Sequence, residues 1–166
     1  MDFGLLIERI VFGVLMAGHG AQKLFGWFGG YGLAGTGGFF EGLGFKPGRL
    51  FAAAASVGEV VSGLLIALGL FGPIGPAILL SIMIVAAVTV HWQHGVFATS
   101  NGIELPLLYA TAAVVLALTG FGRFSLDALL GLGSLRTPAV VAGTLAAGVL
   151  GGIVNLSLRR APVTAN

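Results

Sequence analysis

Apolar residues fill this chain in runs, separated by short breaks rich in glycine. The runs cover residues 5–25, 48–71, 76–92, 104–121 and 138–158. They approach the roughly 20 residues that an α-helix needs to cross a ~30 Å hydrocarbon core. None shows the strict apolar–polar alternation of a membrane β-strand. The pattern predicts an all-α fold: an integral membrane four-helix bundle with an additional C-terminal apolar helix that is itself long enough to span. Residues 1–130 are expected to form the four-helix core, and residues 131–166 the extra helix and a short basic tail.

Polar residues inside the runs mark where function can sit. In the first run Glu8, His19, Gln22 and Lys23 fall within roughly 60° of Glu8 on one helical face. Lipid penalises such a face, so it is expected to turn toward the bundle interior. Glu8, Arg9 and Lys23 lie near the run's ends and have the alternative of snorkelling to the interface. His19, a turn inside the end, is expected to face inward. In the second run Glu59 lies about 16 Å from Gly48 at 1.5 Å per residue, near mid-bilayer. A carboxylate there is costly unless paired, hydrogen-bonded or protonated. Ala52, Ala55, Ser56, Ser62 and Gly63 on its stripe are small and suit close helix packing. Glu59 is the strongest single functional candidate; its competing role is a protonated carboxyl that joins two helices.

The breaks differ in character. Residues 26–47, GWFGGYGLAGTGGFFEGLGFKP, are dense in glycine and aromatics and are expected to lie on the bilayer surface as a linker or gate. They do not form a dinucleotide loop, because Phe40 stands where the third glycine of GxGxxG is needed. Residues 72–76 read as a tight turn. Residues 91–104, HWQHGVFATSNGIE, hold two of the three histidines, a tryptophan, an asparagine and a carboxylate. Ser100-Asn101-Gly102 is a turn signal. Glu104 opens the fourth run, where a carboxylate suits the positive helix N-terminus, and it shares a face with Thr111 and Val115 that can point into the bundle. Ser125 is placed to cap a short helix reaching Leu130.

Antiparallel order brings His19, Lys23, Glu41, His91, His94, Asn101 and Glu104 to one side, above Glu59. Glu8, Arg123 and Asp127 fall on the other. If the last run also spans, Arg159 and Arg160 join Lys23, Lys46 and Arg49 on the first side, against Arg9, Arg123 and Arg136 opposite. The positive-inside rule then turns the first side to the cytoplasm; if the last run does not span, the C-terminal basic pair joins the opposite side and the orientation reverses.

Composition narrows the chemistry. Mean hydropathy of +1.03 with 8% charged residues excludes a water-soluble domain. The net charge is only +2, and no basic cluster exists beyond Arg159-Arg160, so nucleic acid is not an expected partner. The chain has no cysteine, which removes disulfides, thiolate metal sites and iron–sulfur clusters. The first run lacks a basic flank and a small-residue cleavage site, and is expected to be a retained helix rather than a signal peptide. His91 and His94 share a face on a helix, but the sequence does not single out a carboxylate to complete a set, so no metal site is expected. His19 and His91 lack a diagnostic spacing, so haem is not expected either.

A quinone fits better. Its head group needs hydrogen-bond donors and a proton acceptor at the membrane edge, with an apolar channel for its tail. Glu59, His91 and Glu104 are the candidate catalytic residues, and His19, Lys23, His94 and Asn101 the candidate cofactor-binding residues. Electrons would come from a redox protein partner or a bound cofactor. A non-catalytic scaffold subunit, alone or as a homo-oligomer, is the alternative. A small transporter is weaker, for want of an inverted repeat.

The stretches GHGAQKLFG, HWQHGVF followed by NGIELPLLY, and GFGRFSLD, together with Glu59, resemble the DoxX family. These are small four-helix membrane proteins related to the small subunits of thiosulfate:quinone oxidoreductases. The resemblance covers about residues 5–130. It implies a protein of the cytoplasmic membrane linked to redox stress, quinone metabolism or sulfur oxidation. The family's polar positions fall on Lys23, Glu59, His91, Asn101, Glu104, Arg123 and Asp127.

Overall fold

Helix ends in this chain are set largely by glycine and proline. The computed structural model describes residues 1–160, among which there are seven α-helices and no strand. They are α1 (Asp2–Phe25), α2 (Gly32–Gly42), α3 (Gly48–Leu68), α4 (Ile74–Ala86), α5 (Glu104–Thr119), α6 (Leu126–Leu129) and α7 (Pro138–Ser157). Gly26 stops α1 in the left-handed conformation at φ 73°, and its N–H caps the Gln22 carbonyl. Pro138 opens α7, where its missing N–H costs nothing. Four helical stretches, Asp2–Phe25, Gly48–Leu68, Ile74–His94 and Pro138–Ser157, are long and apolar enough to cross a membrane, and the shorter α5 completes the bundle. The final part of the expected basic tail, residues 161–166, lies outside the described residues.

The tightest seam is between α1 and α3. A Cβ on Gly13 would stand 2.5 Å from the Gly63 carbonyl oxygen, so the two backbones touch where only hydrogen fits. This contact fixes the rotation of α1. Arg9, Gly13, Met16, Gly20 and Ala21 are its buried residues. That stripe is centred about 105° from His19 at 100° per residue. His19 is therefore exposed, contrary to the interior position expected from the polar face. Arg9 does not snorkel either. It is buried, and its guanidinium donates to the carbonyls of Ala67 and Phe124.

The glycine-rich break also departs from expectation. Gly32–Gly42 is a helix, packed on α3 with Thr36 and Gly37 buried. Glycine is a weak helix former, so local propensity does not announce α2; packing sustains it. The core gathers Met16, Ile66, Leu79, Met83, Tyr109, Ala113 and Leu116 from α1, α3, α4 and α5, with Phe121 just past the end of α5.

The last helix is long and apolar enough to cross a membrane. It packs along α4, where a Cβ on Gly148 would stand 2.5 Å from the Ala77 carbonyl oxygen. Past its end the Arg160 N–H donates to the Gly44 carbonyl at 2.9 Å, and the Arg159 guanidinium donates to the Leu43 carbonyl. The chain thus finishes on the side where α1 ends and α3 begins.

The opposite side is closed by the stretch after α5. The buried Asp127 carboxylate accepts from the N–H groups of Phe71 and Gly72 at 2.8 and 2.7 Å, while its own N–H donates to the Gly69 carbonyl at 2.9 Å. Ser125 caps α6 as expected, its hydroxyl accepting from the Ala128 N–H at 3.2 Å. The Arg123 N–H donates to Asp2 at 3.1 Å. GFGRFSLD is a staple that fixes the α3–α4 turn to the end of α5.

Candidate functional site

α4, α3, α2 and α7 leave a cavity of about 660 Å³ between them. It follows α4 and the turn after it, from Ile74 to His91, about 25 Å at 1.5 Å per residue. Ala54, Ala55 and Gly58 of α3 form one wall, and Thr144, Ala147 and Gly148 of α7 another. Phe39 and Phe40 of α2 stand at the end where α1 finishes. Small residues on the α3 and α7 walls leave the space that larger ones would fill.

Glu59 is the one carboxylate on this lining, and its residue is 2% exposed. Lys23, at the last turn of α1, reaches inward, and its ammonium donates to Glu59 Oε1 in an ion pair. The Lys23 side chain remains 35% exposed, so the pair runs from the edge of the bundle into its interior. This overturns snorkelling for Lys23. Glu59 Oε2 is buried and has no hydrogen-bond partner. Neighbouring hydroxyls are turned to the backbone instead: Ser56 donates to the Ala52 carbonyl at 2.6 Å and Ser62 to the Glu59 carbonyl at 3.2 Å. Thr89 likewise donates to the Val85 carbonyl at 2.8 Å.

His91 reaches the same cavity through a local widening of its helix. From Ala87 to His91 the chain makes a π turn, with the Trp92 N–H bonded to the Ala87 carbonyl. Turns of this kind occur often at functional sites. This one sets Thr89, Val90 and His91 along the lining. His91 Nδ1 donates to the Asn101 carbonyl at 2.8 Å, which leaves Nε2 for a second partner.

Three of the expected site residues, Lys23, Glu59 and His91, line the cavity together, and four do not. His19 is exposed, 3.2 Å from Gln22 Oε1, with its ring 6.3 Å from that of Tyr109. His94 is exposed and donates through Nδ1 to the Val90 carbonyl at 2.9 Å. Asn101 turns the loop at φ 64° and contributes its carbonyl rather than its amide side chain. Glu104 bends back from the bundle, and its carboxylate accepts from the Ala98 N–H at 2.7 Å. The loop is further closed by Ile103 N–H to Gly95 and Glu104 N–H to Val96, at 3.0 and 2.8 Å. Its polar side chains shape the loop.

Thr36, Thr89, Thr144 and Asn155 line the cavity without having been singled out for it. Each is a polar residue within an apolar or glycine-rich stretch, which is the one signal available. Assigning Thr144 and Asn155 to the site requires knowing that α7 packs on α4.

A bundle of spanning helices around an apolar cavity with one buried ion pair defines a multi-pass membrane protein with an internal ligand-sized chamber. The chain belongs to the DoxX family, whose sequence model matches residues 4–92. The matched part carries α1 to α4 with Lys23, Glu59 and His91, while α5, GFGRFSLD and α7 lie beyond it. Comparison with curated proteins and with solved structures gives no match.

Proposed function

We propose that this protein is the quinone-binding subunit of a redox system in the cytoplasmic membrane. The observation that carries the reading is the ion pair of Lys23 with the buried Glu59 carboxylate, both on the lining of a chamber whose walls are mostly apolar. The chamber's volume of about 660 Å³ lies within the range of small-molecule pockets. The channel along α4 and α7 suits an isoprenoid tail. Lys23 and Glu59 suit the head group, Lys23 as donor to a ring oxygen and Glu59 as the group that holds a proton. His91, at the end of the lining where α4 gives way to the π turn, is a second proton-handling group. A bound quinone supplies two-electron chemistry, and a partner redox protein exchanges those electrons. Residues 1–130 form the core of this unit, and residues 131–166 supply the helix that walls the chamber.

Orientation follows from charge. Lys46, Arg49, Arg159 and Arg160 flank the Lys23 side, against Arg123 and Arg136 on the other. That balance favours a cytoplasmic Lys23 side.

The test is whether the purified protein retains a quinone and binds an added short-chain one. Saturable binding is expected. Ala54→Trp, which fills the chamber from an exposed position on its wall, is expected to abolish it. Absence of both retained and added quinone would leave the scaffold reading, in which the ion pair only fixes helix register.

A further inference from the structure

Four cations that stand far apart in the sequence meet at the end of the bundle where α3 begins and α7 finishes. Lys46 and Arg49 flank the start of α3, and Arg159 and Arg160 follow the last turn of α7. The Arg160 N–H donates to the Gly44 carbonyl at 2.9 Å, and Arg159 Nε donates to the Leu43 carbonyl, 116 residues away in the chain. Glycines make the room. A Cβ on Gly44 would stand 3.2 Å from the Arg159 stem, and one on Gly37 of α2 would stand 2.8 Å from that of Arg49. Among the described residues none of the four pairs with a carboxylate; the ion pairs there are Lys23 with Glu59 and Arg123 with Asp2. Glu41, the one acidic residue of α2, accepts from the Gly48 N–H at 3.2 Å instead.

Like charges gathered without a counter-ion repel, and here backbone hydrogen bonds gather them with no acid to offset the repulsion. An anion set among them removes it. Arginine suits a phosphate, because its planar guanidinium offers several N–H groups to adjacent oxygens. Nε anchors the Arg159 guanidinium, and its other N–H groups make no hydrogen bond to the described residues. The surroundings say where the phosphate comes from. Leu50 follows Arg49 and Leu158 precedes Arg159, and each is more than half exposed. A free phosphate ion leaves those side chains bare, whereas acyl chains cover them. We propose that Lys46, Arg49, Arg159 and Arg160 form a site for the phosphate of an anionic phospholipid in the adjacent leaflet, its acyl chains lying over Leu50 and Leu158. Bound there, the lipid ties the end of α7 to the link between α2 and α3. None of these residues lines the chamber, so the site stands apart from what the chamber holds.

The experiment is native mass spectrometry of the full chain in detergent. It is titrated with phosphatidylglycerol, with phosphatidylcholine of the same acyl chains, and with glycerol phosphate. Each cation near a membrane surface contributes about fivefold to the binding of an anionic lipid, so phosphatidylglycerol is expected to bind at least about tenfold tighter than phosphatidylcholine. Arg159→Gln with Arg160→Gln removes two cations and is expected to weaken phosphatidylglycerol about twenty-fivefold, as is Lys46→Gln with Arg49→Gln. Arg123→Gln with Arg136→Gln takes the same charge from the opposite side, beyond a ~30 Å hydrocarbon core. That control is expected to change the affinity less than about twofold. Should one double variant at the site fail to fold, the other decides together with the wild-type ratio.

Equal binding of phosphatidylglycerol and phosphatidylcholine would overturn the site. An equal loss in the Arg123 and Arg136 control would make the effect one of net charge and overturn it too. Glycerol phosphate bound as tightly as phosphatidylglycerol would show a site for phosphate alone and overturn the assignment to a lipid. Wild-type selectivity left intact by the substitutions at the site would place the lipid elsewhere and overturn the assignment to these four residues.

Discussion

Asp127 lies in GFGRFSLD, beyond the part of the chain that the family model matches, and its geometry marks it as structural. Two backbone N–H groups, of Phe71 and Gly72, point at its carboxylate at 2.8 and 2.7 Å, and the residue is 5% exposed. Asp127→Ala leaves both donors without their acceptor. Each hydrogen bond to a charged group contributes about 1.5–3 kcal/mol, and some water reaches the part-buried Phe71 N–H, so a loss of about 3 kcal/mol is expected. Asp127→Asn keeps one acceptor oxygen and should cost about half as much. Reversible unfolding in mixed detergent micelles, followed by circular dichroism, reads both values. Asp127 lies on the opposite side of the bundle from Lys23 and Glu59, so ligand affinity in the folded fraction should not change. A variant of unaltered stability with lost binding would refute this account and make Asp127 part of the site.

Glycines supply a paired test of the α1–α3 seam. Gly13→Val places a side chain 2.5 Å from the Gly63 carbonyl and should prevent folding, whereas Gly18→Ala, with nothing within 4 Å, should stabilise by up to about 1 kcal/mol. Expression level and thermal melts distinguish them, and a folded Gly13→Val protein would mean the seam can open. Topology is directly testable because the chain has no cysteine. Single cysteines at the exposed positions Asn101 and Ser134 should react with an impermeant maleimide from opposite faces, Asn101→Cys only from the cytoplasm. Labelling of both from one face would contradict the five-helix crossing.

The runs of apolar residues were enough to locate five helices, because hydrocarbon demands length and composition that few other folds satisfy. The same runs could not fix how each helix rotates. In α1 the polar stripe from Glu8 to Lys23 suggests an inward face, yet Gly13 and Gly20 face α3 and carry Arg9 inside with them. Backbone approach outweighs side-chain polarity here, because a helix can bury an arginine that finds carbonyls but cannot bury a side chain with no room. α2 was hidden for a related reason. Its glycines lower local propensity, and only contact with α3 makes the helix.

Site residues divide by whether a backbone partner is within reach. The loop from His91 to Glu104 concentrates polar groups because it must turn outside the helices, and His94, Ser100 and Glu104 each bond its own or neighbouring backbone. Asp127 and Arg9 do the same at the other end of the bundle. Such residues are conspicuous in sequence, and most of their polar groups are taken up by backbone, although Arg9 Nε is buried without a partner. Glu59 differs. Mid-helix, the backbone around it is already bonded to itself, so a carboxylate has only another side chain or a ligand to meet. Lys23 meets one oxygen. An isolated polar residue deep in an apolar run is thus a stronger sign of binding than a cluster at a loop, and Glu59, paired with Lys23 on the chamber wall, is where that sign leads in this chain.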